Sequence, residues 1–300
     1  MGSVTAERTR GSVSMRVSRF FFRHPRGRLS LLLGGPLAWF LTVYIGSLLV
    51  LFLAAFWRVD VFTSEIVRQW GFQNFKTLWE TDVYRTITLR TVGLAAAVTV
   101  TDIVLAFPLA YYAARLASPR RRNAILVAVI VPLWANYLVR VFSWKLILSP
   151  TGLLNWTVEK LGLGSLQIAN SGWAIWLTFS YLWLPFTLLP IYGALERISP
   201  SFLEASGDLG AKGWMTFRRV VFPLIVPGIV AGSIFSFSLT LGDYIVPSLV
   251  GNTKFIGNVI YDNVGVANNV PFAAGYALVP VAVMAVYLLI AKRLGAFEAL

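Results

Sequence analysis

The feature that most constrains this chain is a set of long apolar runs almost free of charge. Residues 29–57, 123–139, 220–242 and 263–291 carry no charged side chain, and 91–114 carries only Asp102. A further uncharged run, 161–195, is too long for one span; its front half, rich in Gly, Asn and Ser, reads as a loop and 173–195 as a helix. A hydrocarbon core about 30 Å thick is crossed by roughly 20 mostly apolar helical residues. Barrel strands would instead alternate apolar and polar over about 10 residues, which these runs do not. The chain is 57% hydrophobic and only 13% charged, with a mean hydropathy of +0.70. The expected fold is therefore all-α, a polytopic membrane protein of about six transmembrane helices, the last beginning after Pro271.

The 26 Lys and Arg residues predict the orientation. With the N-terminus inside, 17 of the 26 fall on the cytoplasmic side: seven Arg in the first 28 residues, then Arg115 and Arg120 to Arg122, then Arg197, Lys212, Arg218 and Arg219, then Lys292 and Arg293. Positive charges flanking spans are retained in the cytoplasm, so both termini are expected there. Residues 1–28 read as a basic cytoplasmic arm held near anionic lipid headgroups, and 29–300 as the transmembrane domain. A signal peptide fits worse, because the apolar run that follows is about twice the usual length and shows no small-residue cleavage site. The net charge of +13 is spread between spans rather than gathered on one face, which argues against nucleic acid as a partner.

Several chemistries are excluded by composition. There is no Cys, the only His is His24 in the basic arm, and no GxxxxGK[ST] phosphate loop occurs. A thiol nucleophile, a Ser-His-Asp triad, a His-rich metal site and hydrolysis of ATP through a P-loop by this chain are accordingly not expected. No cofactor is expected either. An intramembrane enzyme would be left with a Ser-Lys or paired-carboxylate site, which no spacing supports. A secondary transporter should show inverted repeats with matching broken helices, and no convincing repeat is present.

The polar segment 196–222, bracketed by two spans, is the most informative part of the chain. Ser199 can cap a helix with Pro200 at its first position, and Gly210 can end it in a left-handed conformation. This predicts a helix of about ten residues across the cytoplasmic face. Phe202, Leu203 and Leu209 offer apolar contacts, and Glu204 and Asp208 share a face. An apolar stripe with nothing of its own chain below it needs a partner groove.

Glu204, Ala205 and Ser206, then Gly210, then Val220, Phe222 and Pro223 resemble the EAA signature of ABC importer permeases, with Ser206, Val220 and Phe222 as conservative departures. The resemblance implies that Glu204, Ala205, Ser206, Asp208 and Gly210 form a coupling helix that docks into a cleft of the ATPase subunit. The stretches WANYLVRVFSW, GLLN, LPFTLLPIYGALE and PGIVAGSIFSFSLTLGDYIVPSLVG are similar to spermidine/putrescine-type permeases, over roughly residues 35 to 292. That likeness implies an importer in the bacterial inner membrane, built from this chain, a second permease in a heterodimer, two copies of a cytoplasmic ABC ATPase and an extracytoplasmic substrate-binding protein. It implies a polyamine as solute, while relatives that carry iron, opines, aminobutyrate or phosphonates share some of the same segments.

The expected substrate-pathway residues are Asp243, Tyr244, Asp102, Trp134 and Tyr137. Asp243 follows a 22-residue charge-free run and the flexible Gly242, where the backbone is expected to leave the helix; the alternative is that it caps a helix or pairs with Arg140. Asp102 within the second span is expected to pair with Arg140 or Lys145, with a pathway role as the alternative. Trp134, Tyr137, Trp144 and Trp183 read as interfacial anchors or as ring faces for a cationic substrate. Gly228 and Gly232 form a helix-packing pair, and Pro132, Pro185, Pro190 and Pro227 kink spans or act as hinges.

Overall fold

The computed structural model describes residues 25–60 and 62–293. It divides into two compact units, one ending at Ala54 and the other beginning at Ala55. The first contains α1 (Pro25–Phe40), a π-helical turn (Leu41–Ile45) and α2 (Gly46–Ala54). Residues Leu32–Ala54 are long and apolar enough to cross a membrane, and only 6% of that window is buried, as suits a helix whose solvent is lipid. The helix starts at Pro25, a few residues before the expected boundary at 29, with proline at a position where its missing N–H costs nothing. Residues 1–24, most of the basic arm, lie outside the described residues.

The second unit opens with a small hairpin in which Arg58–Val59 (β1) pairs antiparallel with Ile66–Val67 (β2). Asp60 closes its turn by accepting from the backbone N–H of Phe62 at 2.8 Å and of Thr63 at 3.1 Å. Those two N–H groups, Thr63 first, hold the Asp60 carboxyl below its ordinary pKa. Then follow α3 (Gln73–Glu80), α4 (Asp82–Tyr111, continued by a π turn Tyr112–Leu116), α5 (Pro119–Trp134), α6 (Tyr137–Ile147), α7 (Leu153–Lys160) and α8 (Gly172–Arg197). The chain continues with α9 (Pro200–Asp208) and α10 (Gly213–Thr216), which runs through a π turn (Phe217–Val221) into α11 (Phe222–Gly242). It ends with α12 (Ile245–Val250), α13 (Ile256–Gly265) and α14 (Val270–Arg293).

Helix α8 is the axis of this unit, with 61% of its apolar window buried. At one end Ile175, Phe179, Leu182 and Trp183 pack with Val98 of α4, Val141 of α6 and Val246 and Val250 of α12. Toward the other end Leu188, Ile191, Tyr192 and Leu195 pack with Ala106, Ala110 and Ala113 of α4 and with Ile225 of α11. Small residues set the approach of α11. A Cβ added at Gly232 would lie 2.8 Å from the Thr187 carbonyl oxygen, and one at Gly228 would lie 2.8 Å from that of Pro190. The Gly228/Gly232 pair thus packs helices, as expected.

Among the described residues, five helices are long and apolar enough to cross a membrane, or six if one bent pair is a single span. That pair corrects the expected third span. Residues 123–139 are not one helix: α5 and α6 meet at 101° across Ala135 and Asn136. Asn136 starts α6 anew, its Oδ1 accepting from the Leu138 N–H at 2.9 Å, while Ala135 is extended. The fifth span begins earlier than expected, at Gly213. Its π turn precedes Pro223, which has no N–H for the Arg219 carbonyl, so the ladder is rearranged there rather than broken. The sixth begins at Val270, just before Pro271, where Asn269 Oδ1 accepts from the Phe272 N–H at 3.2 Å; the residues from 263 to 265 belong to α13.

Candidate functional site

The first site is α9 and the joint that carries it. Its N-cap is Ser199, whose hydroxyl accepts from the Ser201 N–H, and Pro200 is its first residue. Gly210 lies at φ +77°, the left-handed conformation a β-branched residue resists. Glu204, Ala205 and Asp208 are all exposed, and Phe202 and Leu209 expose 56% and 89% of their surface, so the helix presents a mixed acidic and apolar face. Leu203 departs from the expected stripe, because it packs inward on the α4/α8/α11 core. Ser206 is buried, with its Oγ 2.9 Å from Thr216 Oγ1. The Ser in place of the pattern's second Ala therefore ties α9 to α10.

The second site lies where two helix breaks meet. Asp243 ends α11 in extended geometry, and its Oδ1 accepts from the N–H groups of Ile245 at 2.8 Å and Val246 at 2.9 Å, capping α12. Its Oδ2 accepts from the hydroxyl of Tyr137, the first residue of α6. The ring of Tyr137 stacks on Trp183 at 6.0 Å on one side, and the Arg140 guanidinium carbon stands 5.9 Å from its centroid. Tyr244, 37% exposed, stacks on Tyr261 at 4.6 Å. Asn258 supports the break from below, donating to the Tyr244 carbonyl at 2.9 Å and to Ser248 Oγ at 2.7 Å.

The structure brings together Asp243, Tyr137 and Tyr244, but not the other two expected pathway residues. Trp134 is 84% exposed at the end of α5 and makes no ring contact or hydrogen bond with them. Asp102 is fully buried between α4 and α11, where its Oδ2 accepts from Ser236 Oγ at 2.5 Å and its Oδ1 has no partner. The expected ion pair of Asp102 with Arg140 or Lys145 is not formed. Among the described residues the ion pairs are Lys76–Glu80, Arg85–Asp82, Arg122–Glu196 and Lys254–Asp262. The physical reason is the bend after α5, which turns α6 away and leaves Arg140 against Tyr137. Asp243 does not pair with Arg140 either; it caps. Trp183, read as an interfacial anchor, is instead 6% exposed within the core.

Sequence reasoning missed Ser236, Tyr261 and Asn258. Ser236 follows Gly232 by one turn on α11 and so shared a legible packing face, but Tyr261 and Asn258 gave no local signal.

The model of the family described as "Binding-protein-dependent transport system inner membrane component" matches residues 106–297. The chain belongs to this family: it is the multi-pass inner-membrane permease subunit of an ABC importer and not an enzyme. Among named relatives, the inner membrane ABC transporter permease protein YdcU of Escherichia coli (strain K12) is 46% identical over 299 residues, covering 95% of each chain. The spermidine/putrescine transport system permease protein PotB of Salmonella typhimurium (strain LT2) is 32% identical over 257 residues, covering 84% of this chain and 88% of its own. The molybdenum transport system permease protein ModB of Azotobacter vinelandii is 32% identical over 179 residues, 58% of this chain and 78% of its own. In fold, the chain matches a chain from the crystal structure of a bacterial alginate ABC transporter in complex with alginate pentasaccharide-bound periplasmic protein. That match has a TM-score of 0.73 at 19% identity and covers 92% of this chain and 97% of that one.

Proposed function

We propose that this permease imports a polyamine, as one half of a heterodimeric translocation unit that works with two ATPase subunits and an extracytoplasmic binding protein. The observation that carries the solute class is the junction at Asp243. A carboxylate sits where two helices break, flanked by the stacked pairs Tyr137/Trp183 and Tyr244/Tyr261. Such a site offers an ammonium group both a counter-charge and ring faces. The PotB relatives, named for spermidine and putrescine, support the same class. On this reading Asp243, Tyr137 and Tyr244 line the pathway, while the buried Asp102 and the detached Trp134 do not. A second reading rests on Arg140, which stands beside the Tyr137 ring and could meet a carboxylate, so that an aminocarboxylate such as aminobutyrate would be held at both ends. Measuring ATP hydrolysis of the reconstituted complex with binding protein loaded with putrescine, spermidine or 4-aminobutyrate separates the two. Stimulation by the amines alone is expected, and stimulation by 4-aminobutyrate alone would replace the first reading with the second.

The orientation belongs to the same proposal: both termini face the cytoplasm, and α9 docks into a cleft of the ATPase through Glu204, Ala205 and Asp208, with Ser206 and Gly210 holding its shape. The chain has no Cys, so single Cys residues can report sidedness. Thr77→Cys and Asn252→Cys should react with an impermeant thiol reagent in intact cells and Lys212→Cys should not. Labelling at position 212 would invert the topology.

A further inference from the structure

The joint between α8 and α9 is held from outside by a residue that neither the EAA pattern nor the proposed pathway includes. Arg115, in the π turn that ends α4, donates through one Nη to the carbonyl oxygens of Leu195 at 2.6 Å and Ile198 at 2.7 Å. Leu195 is fully buried and Ile198 is 5% exposed, so these are interior acceptors at the last turn of α8. A cation there meets the negative end of the helix; it adds a second donor to the Leu195 carbonyl, which also accepts from the Ile198 N–H at 3.3 Å, and supplies a donor to the Ile198 carbonyl beyond the helix end. Ile198 immediately precedes Ser199, the N-cap of α9. A second, looser tie runs beside it: Arg122 of α5 lies 3.4 Å from Glu196 Oε1, which also accepts from Tyr192 OH at 3.0 Å.

At its far end α9 is anchored differently. The backbone N–H of Ala211 donates to the Ser206 carbonyl at 3.0 Å and closes the end of α9, while Ser206 Oγ, 2.9 Å from Thr216 Oγ1, fastens that end to the helix that continues into α11. The short helix is thus fixed at one end to α4 and at the other to α11, two spans that flank α8. A rigid rod pinned to two different helices moves both when it is displaced.

We propose that Arg115 is a positioning residue for coupling: it transmits displacement of α9 to the second span, so that occupancy on the binding-protein side and ATP hydrolysis stay linked. This rests on the reading that α9 docks on the ATPase. Arg115 touches neither nucleotide nor solute and acts through the α8/α9 joint. Its contribution is a clasp, one guanidinium Nη shared by two carbonyls, which Gln cannot reproduce in charge or reach and Lys reproduces in charge but with a compact, non-planar head.

The test uses the complete transporter, with partner permease, ATPase and binding protein as purified from cells, reconstituted in nanodiscs. The measured quantity is the stimulation of ATP hydrolysis by binding protein, together with the amount of ATPase bound. Arg115→Gln should lower the stimulation about fivefold or more, the range of an ordinary coupling energy, while the ATPase stays bound. Arg115→Lys should recover part of it. Stimulation within about twofold of the parent, or a loss of bound ATPase that accounts for the whole fall, would overturn the proposal. Should Arg115→Gln not reach the membrane, Arg115→Met, which keeps an unbranched stem without charge or donors, is judged by the same two criteria. Glu204→Lys, measured in parallel, keeps the premises apart: a parental response there sinks the docking reading, whereas a parental response in Arg115→Gln alone sinks only the clasp.

Discussion

The α9 segment and the Tyr137–Asp243 junction carry their charges in opposite ways. On α9, Glu204 and Asp208 are exposed and make no ion pair among the described residues, so their carboxylates are available to another chain. At the junction, Asp243 is half-buried and already accepts three hydrogen bonds, one from a residue 106 positions away. One site is a surface displayed for a partner, and the other is a closed internal constellation that must exchange a bond before it can take a ligand. Changes at the first should therefore act on assembly and coupling, and changes at the second on selectivity.

The largest effect is expected where the displayed surface is inverted. Glu204→Lys reverses a docking charge, and Gly210→Val forces a β-branched residue into a left-handed turn at a strain of roughly 1–3 kcal/mol. Both should abolish uptake with normal membrane abundance, and parental uptake with ATPase still bound would remove α9 from the coupling role. A smaller effect is expected at the junction. Asp243→Asn keeps the shape and the capping acceptor but removes the charge, and a charged hydrogen bond is worth about 1.5–3 kcal/mol, so the half-saturating concentration for a cationic amine should rise on the order of tenfold or more. If abundance falls in step with uptake, Asp243 is a cap and nothing else. The smallest effect belongs to Ser206→Ala, which restores the residue of the EAA pattern and removes only the bond to Thr216. A loss of about 1 kcal/mol or less is expected, visible as slightly lower thermal stability and a fall in uptake smaller than that of Asp243→Asn.

The two sites also differ in how legible they were. The α9 helix could be read locally: Ser199 and Pro200 start it, Gly210 ends it, and its length came out within a residue of the expectation. Which of its apolar residues face outward could not be read, because Leu203 packs inward on a core cluster that includes residues of α4 and α11 distant from it in sequence. The backbone break at Asp243 was foreseeable from Gly242 and Pro247, but its partner was not, since nothing near Asp243 points to Tyr137. The break at Asn136 did carry a signal, an Asn cap directly after Pro132 and Trp134, yet the absence of charge across 123–139 outweighed it.

Sequence by itself determined the class of this protein: charge-free runs of span length, Lys and Arg between them, and the EAA spacing are properties of consecutive residues, and a bilayer or a docking helix responds to consecutive residues. Tertiary structure alone decided which polar groups meet. Asp102 found Ser236 rather than a base, Tyr137 turned to Asp243, and Arg115 reached the end of α8, because each pairing depends on where one helix bends and how closely small residues let another approach. Those distances are set by packing between helices, and no local run of residues encodes them.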